Sequence, residues 1–188
     1  MMDESKIQSA RAFAAQAHGD QQYGTEPYLV HLDEVANILC GLNPDDRLRT
    51  PALMAAYLHD VLEDTETTAG QIRCLFGDVV AVAVAFATDE PGSNRRLKKR
   101  ATYARAIRQL VEWEGQEGYF PPGHPDGIEI GILVKVADRI ANLTRSQGSD
   151  MMQMYRKEAE TFRLAYYSEG VCDSLWEMYE NLLRRTSK

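Results

Sequence analysis

Cysteine is scarce and scattered in this chain: only Cys40, Cys74 and Cys172 occur, none at CxxC spacing. An odd, dispersed set excludes a disulfide framework and fits a reducing compartment. Long apolar runs are missing as well. The longest, Val79–Ala87, has nine residues, against the roughly 20 that a helix needs to cross a bilayer. The N-terminus, Met1-Met2-Asp3-Glu4-Ser5-Lys6, leads straight into helical spacing and not into a signal peptide's apolar run. Cations are outnumbered: 21 Lys and Arg against 28 Asp and Glu leave a net charge of −7. That balance argues against a broad nucleic-acid surface. It leaves room for a small anionic substrate, because a metal can supply local positive charge. Alternation of apolar and polar residues with period 2 is nearly absent, which excludes a sheet-based domain. The expectation is a soluble, cytoplasmic protein with neither membrane nor nucleic-acid partners.

What recurs instead is the helical period. The 188 residues suffice for one domain, 1–188, with a real core. Helices are predicted over about Ser5–His18 and Leu29–Gly41, with a loop Gly19–Pro27 between them and a break at Asn43-Pro44-Asp45-Asp46. Thr50-Pro51 has the form of an N-cap followed by proline at the first helical position. Thr65–Thr68 offers a stop and a new cap for Ala69–Phe76. Asp78 opens the apolar run, Asp89–Asn94 is a turn, and Arg95–Glu114 is a long polar helix. Ile128–Leu143 is apolar enough to be central, despite Gly131. Ser149-Asp150 caps a helix through about Tyr167, and Asp173–Arg185 forms the last, with Leu175, Trp176, Met178, Tyr179 and Leu182 inward. The fold class is all-α, a bundle of about eight helices.

The densest chemistry lies in Tyr57-Leu58-His59-Asp60-Val61-Leu62-Glu63-Asp64-Thr65. As one continuous helix at about 100° per residue, His59 and Glu63 share a face and Asp60 and Asp64 the adjoining one. Tyr57, Leu58, Val61 and Leu62 would then face the core. Like charges at i, i+4 oppose a helix and raise each other's pKa. A divalent cation reverses the sign of that effect, since each carboxylate becomes a ligand or the partner of one. For an isolated His-Asp pair, a solvated acidic helix end is the plainer explanation.

Two distant residues supply matching chemistry. His31 opens the second helix, after Pro27-Tyr28-Leu29-Val30. Asp138 sits within Val134–Ala141, an apolar stretch where an unpaired carboxylate is expensive. Lys135 or Arg139 could hold it in a local ion pair; a metal is the other partner. Asn142 lies one turn on, on the same face. Together His31, His59, Asp60 and Asp138 offer two imidazoles and two carboxylates, which suit Mn²⁺, Fe²⁺ or Zn²⁺ better than Ca²⁺. Such an ion turns bound water into a nucleophile and polarises a phosphoryl oxygen. Glu63 and Asp64 follow by one turn, within reach of that water, as a general base must be.

The segments Ala17-His18-Gly19, Glu26–His31, Leu58–Thr65, Phe76-Gly77, Ala87-Thr88-Asp89 and Leu133–Leu143 are spread over roughly residues 7–145. In order and surroundings they resemble the HD-domain metal-dependent phosphohydrolases. More narrowly, they resemble the hydrolase domain of RelA/SpoT-type proteins and the small alarmone hydrolases. The resemblance implies an HD-domain helical bundle and a single-metal enzyme, typically with Mn²⁺, that removes the 3′-pyrophosphate of (p)ppGpp. Carried over by position, His31, His59, Asp60 and Asp138 bind the metal, and Glu63 and Asp64 are the acidic pair that orients or activates water. Asn142 matches a polar residue near the substrate's sugar, and Tyr28 walls the nucleotide pocket. Basic residues of Arg95–Arg100 approach the phosphates, Lys99 and Arg100 foremost.

One departure bears on the substrate. The loop Asp20–Glu26 lacks the Arg-Lys pair that meets the nucleotide in that family. Another phosphorylated nucleotide, NADPH-like or a nucleoside monophosphate, therefore stands as an alternative substrate. A non-catalytic nucleotide sensor is the alternative of a different class; it predicts a damaged metal set or a lost acidic pair, and both are intact. The basic segment could equally be a solvated helix face or seat an acidic partner. The Gly- and Pro-rich loop Gly115–Asp126 could cover the site or meet another subunit of a homo-oligomer, and His124 within it is expected at the surface. Tyr166-Tyr167 and the Trp176–Leu183 stripe are expected in the core or at a subunit contact.

Overall fold

The computed structural model describes residues 3–41, 46–115 and 124–185. In chain order these form α1 (Glu4–His18), β1 (Gln22–Tyr23), β2 (Glu26–Pro27), α2 (Tyr28–Cys40), α3 (Asp46–Leu58), α4 (Val61–Asp64), α5 (Ala69–Phe76), α6 (Asp78–Ala87), α7 (Arg95–Gly115), α8 (His124–Arg145), α9 (Asp150–Tyr166) and α10 (Asp173–Arg184). The fold is an all-α bundle. Residues 43–45 of the predicted break and most of the predicted loop 115–126, with the His124 side chain, lie outside the described residues, while Asp46 already opens α3. Asp126 already belongs to α8, whose first turn tolerates Pro125 because no N–H is needed there. No described helix is long and apolar enough to cross a membrane.

The bundle is built around α8, which packs against α2, α3, α6, α9 and α10. Ile128, Ile130, Ile132, Val134 and Val136 are all fully buried, so side chains on every side of this helix meet protein. Its closest neighbour is α6, the helix formed by the apolar run. A Cβ on Gly131 would lie 2.7 Å from Phe86 Cδ1, and one on Gly127 would lie 2.6 Å from Val82 Cβ. The glycines that look like weak points in a helix are thus what lets two helices approach.

Capping explains several boundaries. Thr68 and Gln71 form a reciprocal capping box at the start of α5, as the Thr65–Thr68 segment predicts. Thr50 does not cap α3. That helix begins four residues earlier, and Pro51 lies inside it. The Thr50 hydroxyl instead accepts the Asp3 N–H at 3.0 Å, tying the chain's start to α3. Ser149 is at the N-cap of α9, but its hydroxyl donates to Ser146 O at 2.8 Å. In α10, Leu175, Trp176, Tyr179 and Leu182 face inward as expected, whereas Met178 is 42% exposed. Tyr166, Phe162, Trp176 and Tyr179 make one aromatic cluster, with the Phe162 ring 4.9–5.8 Å from the other three.

The main departure concerns the stretch from Tyr57 to Thr65. It is not one helix. α3 ends at Leu58, His59 and Asp60 form a turn, and a single helical turn, α4, restarts at Val61. This break accounts for one helical segment beyond those the periodicity suggests.

Candidate metal centre

The break is what brings His59 and Asp60 together. Adjacent residues on a continuous helix point about 100° apart. Here Asp60 sits at φ −104°, ψ −3° and serves as N-cap of α4. His59 Nε2 and Asp60 Oδ2 consequently lie 3.0 Å apart. The break is held locally: His59 Nδ1 meets the Ala56 carbonyl at 2.8 Å, and the N–H groups of Glu63 and Asp64 donate to the Asp60 carbonyl.

α2 and α8 bring the other two groups to the same point. His31 Nε2 is 3.3 Å from Asp138 Oδ1 and 3.9 Å from Asp60 Oδ2. His59 Nε2 is 3.9 Å from Asp138 Oδ1. His31, His59 and Asp138 each present a ligand atom within 4.8 Å of the others. Asp60 stands just outside this tightest trio, drawn toward Tyr28, whose hydroxyl donates to its Oδ2 at 2.5 Å. The ion pairs that could have explained Asp138 locally do not form. Lys135 pairs with Asp89, and Arg139 pairs with Glu158.

The chemistry of this donor set fits a cation. With Nδ1–H given to a carbonyl, neutral His59 turns a lone pair on Nε2 toward two carboxylates. That Nε2 is buried and has no hydrogen-bond partner. Acceptors facing acceptors are unstable until a proton or a metal sits between them. In the protein alone a proton takes that place. Burial disfavours charge on His59, but Asp60 and Asp138 outweigh it and hold its pKa up at about 9. Conversely, burial raises the Asp60 carboxyl, while the imidazoles and the Tyr28 hydroxyl bring it well below the usual carboxylate range.

A second ring of side chains fixes these four. The Asn142 amide donates to Asp138 Oδ1 at 2.5 Å, and its own oxygen accepts the Tyr23 hydroxyl at 2.6 Å. Tyr23 stands at the tip of the β1–β2 hairpin, where Gly24 takes a positive φ of 65°. Its ring stacks on His31, centroids 4.6 Å apart, with the Arg145 guanidinium 5.0 Å from the ring centroid. Tyr28 stacks on His18 at 4.5 Å. Burial and Asp60 drive the Tyr28 hydroxyl pKa far up, so it remains a donor.

The cluster opens into a small cavity of about 210 Å³ whose lining includes Tyr28, His31, Asp60, Glu63, Asp138 and Asn142 together with four cations, Arg95, Lys99, Lys135 and Arg139. Glu63 is held at its edge by the Lys98 ammonium and by the Asp89 N–H, the latter at 3.2 Å. Lys99 and Lys135 clasp Asp89 from two sides, at 2.5 and 2.9 Å. Burial and the neighbouring Lys135 lower the Lys99 pKa to about 8, against the pull of Asp89.

Two predicted site residues lie elsewhere. Asp64 accepts from the Gln21 side chain at 2.8 Å and lines a separate hollow with Phe13, Ala17 and Gln71. Arg100 is exposed and borders a neighbouring groove and not the cavity, because the α7 face that carries Lys99 turns Arg100 away. Conversely, Tyr23, Asp89, Lys135 and Arg139 line the cavity although the sequence reading does not assign them to it, and Arg95, the first of the basic segment, joins them. For Lys135 and Arg139 a signal existed: two cations in the same apolar stretch as Asp138. Tyr23 gave none, since nothing in its loop predicts a stack across to α2.

Comparison with known proteins places these features in context. A family model described as an HD domain matches residues 10–111. The guanosine-3′,5′-bis(diphosphate) 3′-pyrophosphohydrolase of Aquifex aeolicus is 33% identical over 139 residues, 73% of this chain and 17% of that protein. The bifunctional (p)ppGpp synthase/hydrolase SpoT of Escherichia coli is 34% identical over 145 residues, 77% of this chain and 18% of that protein. The chain thus spans less than a fifth of the length of these curated relatives. Among solved structures, a metazoan ortholog of SpoT, described as hydrolysing ppGpp and playing a role in starvation responses, matches with a TM-score of 0.72 at 23% identity. The match covers 98% of this chain and 97% of that one, and it shows a shared fold.

Proposed function

The chain belongs to the HD-domain family, and on that premise we propose that it is a metal-dependent phosphohydrolase that removes the 3′-pyrophosphate from (p)ppGpp or a related nucleotide. The observation that carries this reading is the meeting of His31, His59, Asp60 and Asp138, with a buried imidazole nitrogen of His59 aimed at carboxylate oxygens. HD-domain hydrolases bind a divalent metal, and these residues are able to hold one. Mn²⁺ is the proposed ion, since mixed imidazole and carboxylate sets suit borderline divalent cations. When bound, such an ion lowers the pKa of a coordinated water and polarises a phosphoryl oxygen.

The remaining roles belong to the chain. Glu63 would take the attacking water's proton, its carboxylate fixed by Lys98 and the Asp89 N–H. Tyr28 and Asn142 orient Asp60 and Asp138. Lys99 and Arg95, which line the same cavity, would meet the departing phosphates. Asp64, bonded to Gln21, would act on the water indirectly, by steadying the base of the hairpin. We take residues 1–188 as one catalytic unit. A cytoplasmic setting accords with three free cysteines.

A panel of nucleotides offered to the Mn²⁺-loaded protein tests this. Pyrophosphate released from (p)ppGpp is the expected result. Orthophosphate from NADPH or from a nucleoside monophosphate would instead select the alternative substrates, a choice the cation-free hairpin keeps open. Tight nucleotide binding with full metal content and no turnover would refute the hydrolase in favour of a sensor.

A further inference from the structure

The two imidazoles of the metal centre are not held alike. His59 donates its Nδ1–H to the Ala56 carbonyl at 2.8 Å, the usual way in which a ligand imidazole is kept in orientation. His31 has no such anchor. Its Nδ1 is buried and meets no hydrogen-bond partner among the described residues. Rotation of that ring about its Cβ–Cγ bond is therefore opposed by packing alone. The packing comes from Tyr23, whose ring lies 4.6 Å from the His31 ring with the two planes only 15° from parallel. Tyr28 and His59 meet the same imidazole edge-on, at 71° and 66°.

Asp138 depends on the same tyrosine. An Asn side chain has two N–H donors, and the Asn142 nitrogen is bonded twice to Asp138, to Oδ1 at 2.5 Å and to the main-chain carbonyl at 3.0 Å. Turned the other way, the amide would set its oxygen against the carboxylate. Tyr23 opposes that turn, because its hydroxyl donates to the amide oxygen at 2.6 Å. With both donors given to Asp138, Asn142 has none left for a sugar hydroxyl. Tyr23 is itself braced: the Arg145 guanidinium lies 5.0 Å from its ring centroid and pairs with Glu26 of the hairpin and Glu34 of α2.

We propose that Tyr23 is a positioning residue of the metal centre, setting the plane of His31 through its ring and the orientation of Asp138 through Asn142. This rests on the reading of these residues as metal ligands, and it gives the hairpin a task at the ion instead of at the nucleotide. Ring and hydroxyl act on different ligands, so they can be removed separately.

The test is Mn²⁺ titration of the full chain. Tyr23→Phe keeps the stack and loses the hydrogen bond; Mn²⁺ affinity should fall about tenfold, the lower end of what losing an outer partner of a ligand costs. Tyr23→Leu loses both and should fall further. In an Asn142→Ala background Tyr23→Phe should cost nothing more, since its hydroxyl has nothing left to act through, whereas Tyr23→Leu should still weaken binding. Should the Leu variant fail to fold, the Phe pair decides. At saturating Mn²⁺, Tyr23→Phe should leave the KM for guanosine 3′,5′-bis(diphosphate) unchanged, which loss of a nucleotide contact would not. Unchanged Mn²⁺ affinity in Tyr23→Phe, losses that add in the double variant, or a raised KM at unchanged affinity overturns the assignment. If wild type binds Mn²⁺ without turnover, the hydrolase reading fails and the titrations still judge Tyr23. If wild type takes up no Mn²⁺, the metal-centre reading fails and this role falls with it.

Discussion

Replacing Asp89 with Asn takes one negative charge from between two buried ammonium groups. The Asp89 and Lys135 side chains are only 7% and 5% exposed. Lys135 Nζ keeps the Ala87 carbonyl at 2.7 Å but loses its counterion. The Asn amide can accept from one lysine only by turning its N–H₂ toward the other. Removing one partner of a buried pair costs about 3–5 kcal/mol. Proton release sets a ceiling, because discharging an ordinary lysine at pH 7 costs about 5 kcal/mol. Lys99 adds less, since its pKa already lies near 8 and it reaches the cavity. Urea unfolding at pH 7 should therefore show a loss of about 3–5 kcal/mol, a large part of a typical domain's stability. The pH dependence has a definite sign. Burial opposes the Asp89 charge, but Lys135 and Lys99 hold its carboxyl well below its ordinary 3.8. Its contribution is then complete above that ordinary value and fades as pH falls through the depressed one. The gap between wild type and D89N should be full from pH 5 to 7 and close in stronger acid. Adding Lys135→Met should restore much of the loss. A loss below about 1 kcal/mol at pH 7, against the 3–5 expected of a buried pair, would refute this reasoning.

Other perturbations probe the centre and the core. Glu63→Gln should retain Mn²⁺ by elemental analysis while kcat drops by about 10²–10⁴; near-normal turnover at full occupancy removes Glu63 as the base. Asp138→Asn should cost Mn²⁺ affinity at least tenfold by titration, a loss of about 1.4 kcal/mol or more, and unaltered affinity would mean that the ion sits elsewhere. Chelation should abolish turnover and lower Tm, since a ligand at 100 times its Kd stabilises by about 2.7 kcal/mol; a Tm indifferent to Mn²⁺ argues against the site. Gly131→Ala should destabilise by about 1–3 kcal/mol, because its Cβ would lie 2.7 Å from Phe86 Cδ1; an unchanged Tm would mean that α6 can retreat freely.

Much of the bundle was legible because helix signals are local. Apolar periodicity, the Thr68 cap and the glycine stops act within a few residues, and α1, α2, α5, α6, α9 and α10 fall close to their predicted spans. The break after Leu58 was not legible. Nothing in His59-Asp60 opposes a helix strongly; the turn exists because four polar groups from three parts of the chain converge there. Asp138 stood out because an apolar neighbourhood makes a carboxylate conspicuous. The actual partner of Lys135, in the same neighbourhood, was not legible, since Asp89 is 46 residues away and periodicity carries no information across that distance. The position of Arg100 was illegible for a simpler reason. A run of basic residues on a helix distributes its charges around the axis, and only the packing of α7 decides which of them meet the cavity.

The hairpin shows how a missing charge can mislead. Loss of the Arg-Lys pair from the Asp20–Glu26 loop reads, in sequence, as lost affinity for an anion. In three dimensions a cation is there, contributed by α8. Arg145 lies against Tyr23 and binds Glu26 and Glu34. Its charge is thereby consumed inside the protein, and the hairpin becomes a fastening: Tyr23 presses on His31 and, through Asn142, steadies Asp138. Two of the four groups at the metal centre are thus oriented from one tyrosine, which a loop that had to open for a nucleotide would sacrifice. A substrate-facing cation on that side and a rigid hairpin are therefore competing uses of the same space. This chain has taken the second, and on the proposed reading recognition of a charged substrate falls to cations elsewhere, such as Lys99 and Arg95 at the cavity.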